Sequence, residues 1–212
     1  MIIAIDGSAA SGKGTLAKQL AKHFGLAYLD TGALYRAVAL EMLNAGEEAS
    51  ALDEKQCFKY CVNLDLELTK SPSIRSEKVA ELASLVAVIP AVRSQLLDLQ
   101  RQFALQPPYG KGAILDGRDI GTVVLPNANI KFFIDADVKI RAERRTKELI
   151  QSGQSVMFRD VLSDMEERDG RDRSRASAPL VPADDAIVLD TSKLNAKAVL
   201  TLAKSYVSAL SD

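Results

Sequence analysis

The side chains that most often perform acid–base, metal and redox chemistry are scarce in this chain of 212 residues, which contains one histidine and two cysteines. His23 lies late in a predicted helix, so we interpret it as a helix-end residue rather than as a catalytic base. Cys57 and Cys61 are four residues apart in a helical pattern, and no further cysteine is present to complete a metal site. We therefore interpret both thiols as structural.

Long apolar runs and an excess of either charge are also missing. No apolar run approaches the roughly 20 residues of a membrane-spanning helix, and the chain opens on a predicted strand, which leaves no room for a signal peptide. Lysine and arginine (27) nearly balance aspartate and glutamate (28). A chain this close to neutral is not a general nucleic-acid binder. We therefore expect a cytoplasmic, reduced protein without membrane or nucleic-acid partners, and a monomer by default.

The most informative stretch comes almost at once and reads Gly7-Ser8-Ala9-Ala10-Ser11-Gly12-Lys13-Gly14-Thr15. It follows an apolar run and precedes a helical pattern. This order of strand, glycine-rich loop and helix is typical of a phosphate site, because backbone N–H groups converge on phosphate oxygens at the positive end of a helix. Lys13 is suited to the β- and γ-phosphates of a nucleoside triphosphate. A helix-capping loop with a surface lysine is the less favoured interpretation.

A second candidate anion site follows the next predicted strand, in Asp30-Thr31-Gly32-Ala33-Leu34-Tyr35-Arg36. Asp30 or Thr31 is suited to cap a helix that runs to about Asn44. Arg36, one turn into that helix, is either a surface residue or a contact to a second anionic ligand. The residues alone leave both interpretations open.

The order of elements predicts an α/β fold, in which a P-loop core with a central parallel sheet is flanked by helices. Residues 47–111 interrupt the strand–helix alternation, so we interpret them as an inserted, mobile substrate domain. Within it, residues 52–62, 79–86 and 92–103 are predicted to be helical, and the alternation of residues 64–68 predicts a strand. The predicted division assigns the core to about 1–46, 112–156 and 179–212, the insert to about 47–111 and a lid to about 157–178.

Polar residues follow a predicted buried strand at Ala113–Leu115, in the order Asp116-Gly117-Arg118-Asp119. At the carboxyl end of a parallel strand, such side chains face the crevice in which α/β proteins bind ligands. Asp116 has the position of the acidic residue that helps to hold Mg²⁺ in P-loop enzymes. A salt-bridged turn is the alternative.

Two further groups of arginines come later. Arg141, Arg144 and Arg145 lie on a predicted helix over residues 138–150, where a solvated surface is the usual outcome. The run Arg168-Asp169-Gly170-Arg171-Asp172-Arg173-Ser174-Arg175 follows a helical pattern at 158–167. If this run is helical, Arg168, Asp172 and Arg175 share one face, with Arg171 on its flank. Such a face suits forked contacts to phosphate and a lid that excludes water; a salt-bridged helix end is the alternative. A last strand at 187–189 and a helix at 196–210 close the chain.

A P-loop, a second anion site, an insert and an arginine-rich lid together indicate transfer between two bound phosphates. Phosphoryl transfer depends on positioning and charge neutralisation more than on covalent chemistry. An acceptor that is itself a phosphate is already anionic and needs no general base. The scarcity of histidine is therefore no objection to this function.

These motifs together resemble the bacterial cytidylate kinase family. They are Gly-x4-Gly-Lys-Gly-Thr, the run from Asp30 to Arg36, Asp116-Gly117-Arg118-Asp119-x-Gly121-Thr122-Val123-Val124, and Arg168-x2-Arg171-Asp172-x2-Arg175. The resemblance extends through nearly the whole chain. It implies transfer of the γ-phosphate of ATP to CMP or dCMP, with Mg²⁺.

The resemblance also implies roles for individual residues. The run from Gly7 to Thr15 would bind ATP, with Arg145 and Arg171 on its phosphates and Arg141 stacked on adenine. Arg36, Arg118 and Arg175 would grip the CMP phosphate. The base would be read by Ser84, Arg93 and Asp119, and the sugar by Arg168 and Asp172. Thr31 would join the substrate site, Thr15 and Asp116 would contact the metal directly or through water, and the catalytic groups would be Lys13, Arg118, Arg171 and Arg175.

Two departures from the family pattern shape these expectations. The segment between Leu64 and Ile74 is shorter than usual, so a full three-stranded insert is not expected. Gly14 replaces the usual magnesium-binding hydroxyl.

The competing functions are a kinase for UMP, AMP or a small hydroxy acid, and a non-catalytic nucleotide-sensing or RNA-binding protein. The neutral charge and the lack of aromatic residues beside the arginines speak against RNA.

Overall fold

Five parallel strands form the central sheet of the computed structural model, which describes residues 1–47 and 53–209. The strand order is β2-β3-β1-β4-β5. The bounds are Ile2–Gly7 (β1), Ala27–Asp30 (β2), Ala113–Gly117 (β3), Ile130–Asp135 (β4) and Ile187–Asp190 (β5). The predicted α/β fold is thus confirmed.

Eight α-helices accompany the sheet within the described residues. They are α1 (Lys13–Phe24), α2 (Thr31–Asn44), α3 (Glu54–Val62), α4 (Glu77–Val86), α5 (Pro90–Leu105), α6 (Val138–Gln151), α7 (Phe158–Ser174) and α8 (Ala196–Ser208). The predicted helix starting at residue 52 and the predicted helix end at residue 210 extend outside the described residues. No single described helix has the length and apolar composition of a membrane span; the pair α4 and α5 reaches that composition only jointly, across a bend of 100°.

Both faces of the sheet are covered, which explains the almost continuous apolar character of its central strand. Ile3 and Ile5 of β1 pack with α1 and α8 on one face. Ala4 points to the other face, where it packs with Leu115 and with residues of α5. Parallel sheets typically bury both faces in this way.

The strand register brings the polar strand ends together. Ile5 and Asp6 of β1 lie opposite Asp116 and Gly117 of β3, and Asp30 of β2 lies opposite Asp116. Because these strands are parallel, their carboxyl ends open on the same edge of the sheet. The P-loop and both candidate anion motifs therefore meet there.

Residues 53–105 of the predicted insert contain α3, α4, α5 and two 3₁₀ turns, which are joined by short non-helical segments. The core of the insert is formed by α2, α3, α4 and α5 and includes both free thiols, Cys57 and Cys61, as buried side chains. The predicted strand at 64–68 is wrong: Leu66–Lys70 is a 3₁₀ turn. The Asp65 carboxylate accepts a hydrogen bond from the Glu67 N–H (2.9 Å) and starts that turn. In the described part of residues 47–111 there is no strand, in line with the expectation that a three-stranded insert is absent.

Helix α7 continues through most of the arginine-rich run. It ends at Ser174, and Arg175 is its C-cap. Arg168 and Asp172 therefore lie one turn apart on α7, as their spacing predicts, whereas Arg175 lies beyond the last helical residue.

Candidate active site

The P-loop owes its shape to two glycines. Gly7 has φ +151°, and a Cβ atom there would lie 2.1 Å from the Ile134 carbonyl oxygen of β4. Gly12, at φ +91°, is the N-cap of α1. The loop is thereby pressed against the sheet and turned so that α1 begins at Lys13. The hydroxyls of Ser8 and Ser11 are buried and have no hydrogen-bond partner among the described residues.

Lys13 folds back over the loop. Its ammonium donates to the Ser8 carbonyl oxygen at 3.2 Å. Burial, and next the nearby Arg118 guanidinium, lower the pKa of Lys13, while the carboxylates of Asp116 and Asp30 oppose this shift. An anionic phosphate at this position would stabilise the charged ammonium.

Asp116 lies between the P-loop and β2. Its Oδ1 accepts a hydrogen bond from the Tyr28 hydroxyl (3.1 Å). A Cβ atom on Gly14 would lie 3.2 Å from Asp116 Oδ2, so the missing side chain at position 14 leaves room for this carboxylate. Burial, and next the charge of Asp30, raise the pKa of Asp116. The Thr31 hydroxyl donates to the Asp116 carbonyl oxygen (2.8 Å) and fixes the strand end.

A buried carboxylate anchors the turn that follows Asp119. Asp6 accepts hydrogen bonds from the N–H groups of Ile120 (2.8 Å) and Gly121 (2.7 Å). These residues begin the π-helical turn Ile120–Val124. Burial raises the pKa of Asp6 to about 7, against the lowering effect of the two N–H donors.

On the side of the cleft opposite the P-loop, the arginines are held by ion pairs. Arg36 pairs with Asp30 at 2.7 Å. Asp119 pairs with Arg93 and lies 3.7 Å from Arg175. The Arg36–Asp30 pair joins α2 to the end of β2, and the Asp119 pairs join α5 and the end of α7 to the segment that follows β3.

Arg118 makes the contact between the segment that follows β3 and the last turn of α7, since its Nε donates to Asp172 Oδ2 at 2.8 Å. Burial raises the pKa of Asp172, but Arg118 and Arg168 outweigh it and hold that pKa below its usual value. Burial, and next Arg118, lower the pKa of Arg168 to about 10. The site is thus a desolvated cluster with surplus positive charge.

Several buried donors in this cluster have no hydrogen-bond partner among the described residues. They are Arg36 Nε, Arg168 Nε, Arg175 Nη2 and the Ser84 hydroxyl. A buried polar group without a partner is costly, and the cost is removed when a ligand supplies the missing acceptor. The arrangement is therefore suited to an anionic, hydrogen-bonding ligand.

Most of the predicted site residues line one cleft of about 930 Å³, within the volume range of small-molecule sites. The cleft brings together Ala9, Ala10, Ser11, Gly12, Lys13, Gly14, Thr15, Thr31, Arg36, Ser84, Arg93, Asp116, Arg118, Asp119, Arg145, Arg168, Asp172 and Arg175. Gly7 and Ser8 are buried beneath the loop.

Arg141 and Arg171 are not among the lining residues of the cleft. Arg171 lies 3.9 Å from Glu167, one turn earlier on α7. Arg141 is 2% exposed and is engaged by Asp169. The structure therefore does not place Arg141 where it could stack on adenine, because a buried ion pair holds its guanidinium.

The cleft also contains residues that the sequence did not single out. Tyr28 contacts Asp116, and Asp30, expected only as a helix cap, also pairs with Arg36. Arg144, expected at the surface, donates to the Thr191 hydroxyl (3.1 Å) and carbonyl (2.6 Å). The Thr191 hydroxyl in turn donates to the Ser11 carbonyl oxygen at 2.9 Å. A polar residue after the last parallel strand, as Thr191 is, was the available signal.

The described residues contain no group of three or more histidine, cysteine, aspartate or glutamate side chains that could hold a metal ion alone. The Asp116 carboxylate and the Thr15 hydroxyl line the cleft beside the P-loop. This sparse set of oxygen ligands fits a Mg²⁺ ion that is bound largely by nucleotide phosphates, which is the usual mode of that ion.

The protein has a glycine-rich loop between the central strand and α1, a desolvated lysine in that loop, and a crevice at the strand ends. These features define the class of P-loop nucleotide-binding α/β proteins. A solved structure of an uncharacterized protein from Eubacterium ventriosum has a related fold, with a TM-score of 0.55, 16% identity and coverage of 98% of each chain.

Sequence comparison narrows the class. The family model described as "Cytidylate kinase" matches residues 3–209. A protein named "Cytidylate kinase" from Paramagnetospirillum magneticum is 55% identical over 197 residues, covering 92% of each chain. One of the same name from Methylocella silvestris is 51% identical over 212 residues, covering 100% of this chain and 96% of the relative. The chain belongs to the cytidylate kinase family.

Proposed function

We propose that the protein transfers the γ-phosphoryl group of ATP to the phosphate of CMP or dCMP, giving ADP and CDP or dCDP. One observation carries this proposal: the buried donors of Arg36, Arg168, Arg175 and Ser84 that lack partners lie in the same cleft as the P-loop. The residues that we propose for the donor phosphates and for the acceptor therefore line the same cleft.

The donor side is formed by the P-loop. The N–H groups at the start of α1 and the Lys13 ammonium bind the β- and γ-phosphates. Because Lys13 is partly desolvated, its charge acts on the transferring group with little screening by water. Arg145 at the rim of the cleft is a further contact to these phosphates.

The acceptor side is formed by arginines from three segments. Arg36, Arg118 and Arg175 bind the phosphate of the nucleoside monophosphate, and Arg168 and Asp172 bind its sugar. The acceptor oxygen is already anionic, so no residue needs to remove a proton. Arg118 and Arg175 also stabilise charge on the transferring group, and exclusion of water limits hydrolysis of ATP.

A Mg²⁺ ion fits the ATP-binding side of the cleft. Bound Mg²⁺ neutralises phosphate charge during transfer. Asp116, oriented by Tyr28, and Thr15 are the residues that would hold it, directly or through water. Asp116→Asn is expected to weaken the dependence on Mg²⁺, and an unchanged Mg²⁺ titration of ATP binding would remove Asp116 from this role.

Cytosine is selected by hydrogen bonding. Asp119 accepts from the N4 amino group, and Ser84 and Arg93 donate to N3 and O2. Uracil would present its O4 acceptor to the Asp119 carboxylate, which is unfavourable. A site of this kind discriminates strongly because a mismatch leaves buried polar groups unpaired.

All the groups in this proposal come from a single chain, so a second copy is not required, and we expect a monomeric enzyme in the cytoplasm. Neither nucleic acid nor a membrane has a part in it.

ADP release from Mg-ATP tests the proposal, with CMP, dCMP, UMP, AMP and dTMP as separate acceptors and ATP alone as the control. Turnover mainly with CMP and dCMP is expected. Equal turnover with UMP would contradict the base contacts, and no ADP with any acceptor, from protein that binds ATP, would contradict the acceptor assignment.

A further inference from the structure

One buried guanidinium connects three separate segments of the protein. Arg141 of α6 donates from Nε to the Ala136 carbonyl oxygen at the end of β4 (2.8 Å). Its Nη1 donates to the Ala9 carbonyl oxygen of the P-loop (3.3 Å) and to Asp169 of α7 (3.3 Å). Its Nη2 makes a second contact to the same Asp169 carboxylate.

This contact is desolvated and bidentate. Arg141 is 2% exposed and Asp169 is 8% exposed. A forked arginine–carboxylate pair fixes the orientation of both side chains, not only their separation. Removing one partner of such a pair leaves a buried charge uncompensated.

The position of Asp169 makes the pair relevant to the reaction. Asp169 lies directly after Arg168 and three residues before Asp172 on α7. Helix α7 is therefore tied to the molecule at two successive turns, by Asp169 to the P-loop side and by Asp172 to Arg118.

We propose that Arg141 and Asp169 are positioning residues that hold α7 in register with the P-loop, and that neither contacts a nucleotide. This inference rests on the proposed function, in which Arg168 and Asp172 bind the acceptor. The Arg141–Asp169 pair sets the separation between the donor phosphate on the P-loop and the acceptor carried by α7. A displacement of even 1 Å between two reactants is expected to slow transfer by up to about 10²-fold.

Calorimetric titration of CMP and of ATP into folded protein tests the proposal. Asp169→Asn keeps the side-chain size but removes the charge, and Glu166→Gln, an exposed carboxylate on the same helix, is the matched control. We expect Asp169→Asn to weaken CMP binding about 10-fold and to lower kcat about 10²-fold, with no change in Glu166→Gln. A purely structural role would lower the unfolding midpoint but leave the CMP affinity of the folded protein unchanged.

Arg141 variants complete the test and cover the case in which Asp169→Asn does not fold. Arg141→Met is expected to weaken CMP binding and lower kcat as much as Asp169→Asn does, and Arg141→Lys is expected to restore part of the CMP affinity. The double variant Arg141→Met, Asp169→Asn should lose no more affinity than either single variant, because the two residues act as a unit. Wild-type CMP affinity in the folded Arg141 variants, with weakened binding of ATP alone, would overturn the proposal and indicate an adenine contact. Failure of the proposed function is seen separately, as wild-type protein that does not phosphorylate CMP.

Discussion

The P-loop and helix α7 face each other across the cleft and bind charge in different ways. The P-loop relies on backbone N–H groups and one lysine, and its shape depends on glycines at positions 7 and 12. Helix α7 relies on long charged side chains, which pair with residues of opposite charge from other segments, as Asp172 pairs with Arg118. One site is built by local backbone geometry and the other by tertiary ion pairs.

This difference determines how each site tolerates change. The backbone site fails when a side chain is added at Gly7, because a Cβ atom there would overlap the Ile134 carbonyl oxygen. A site of paired side chains fails when a charge is removed, because its buried partner is left without compensation. The two regions therefore have opposite sensitivities to substitution.

The largest effect is expected for Gly7→Ala, which tests the backbone geometry of the P-loop. The added Cβ would lie 2.1 Å from the Ile134 carbonyl oxygen at a backbone angle that favours glycine. We expect a loss of about 3 kcal/mol or more in the free energy of unfolding and loss of ATP binding, measured by urea unfolding and calorimetry. Gly153→Ala is the matched control, since Gly153 also has positive φ but no neighbour within 4 Å; it should cost only about 1–2 kcal/mol. Equal costs for the two variants would refute the close-approach argument.

The next largest effect is expected for Asp119→Ala, which tests the site that is built from paired side chains. It removes the carboxylate shared by Arg93 and Arg175. We expect the preference for CMP over UMP, measured as the ratio of kcat/KM values, to fall by about 10²-fold or more. Binding of ATP should stay within about twofold, because Asp119 lies outside the P-loop. A retained base preference would show that another group reads the amino group of cytosine.

Asp6 joins the two regions, since it lies at the end of β1 directly before the P-loop and anchors the turn after Asp119. Its pKa is raised from 3.8 to about 7. As pH rises through this range, the unfolded chain releases the proton first. The free energy of unfolding should therefore fall by about 1.4 kcal/mol for each pH unit between about pH 4 and 7.

Urea unfolding of wild type and Asp6→Asn at pH 4.5, 6 and 8 measures this effect. The wild type should lose stability relative to Asp6→Asn as pH rises, whereas Asp184→Asn, at an exposed carboxylate, should follow the wild type. Parallel pH profiles for wild type and Asp6→Asn would contradict the raised pKa.

The smallest effect is expected for Glu77→Gln at the rim. Glu77 of the insert pairs with Arg145 of α6, and its side chain is half exposed. Solvent screens such a pair, so the free energy of unfolding should change by less than about 1 kcal/mol. Because the substitution frees Arg145 for the donor phosphates, the KM for ATP should stay the same or decrease. A marked rise in that KM would show that the pair positions Arg145 for ATP.

The same contrast explains what the sequence could predict. The P-loop is a contiguous run between a strand and a helix, so its geometry was accessible from local pattern. The helical face shared by Arg168 and Asp172 was likewise accessible from their spacing, and the sheet class followed from strand–helix alternation.

One prediction failed for a local reason, and several contacts could not be predicted because they join distant segments. The alternation around Leu66 predicted a strand, but the Asp65 cap stabilises a 3₁₀ turn instead. The ion pair of Arg141 was not apparent from the sequence, because its partner Asp169 is 28 residues away. Tyr28 and Thr191 reach the cleft through contacts to Asp116 and Ser11. No periodicity within one segment encodes such partners.

Separate affinities for the two nucleotides test the division of the cleft most directly. Calorimetry would measure ATP binding and CMP binding in wild type, Lys13→Met and Arg36→Gln. We expect Lys13→Met to weaken ATP binding about 10-fold or more while sparing CMP, and Arg36→Gln to do the reverse, because each removes one charge-assisted contact. Loss of CMP affinity in Lys13→Met equal to its loss of ATP affinity would contradict a donor site on the P-loop and an acceptor site on the arginine side.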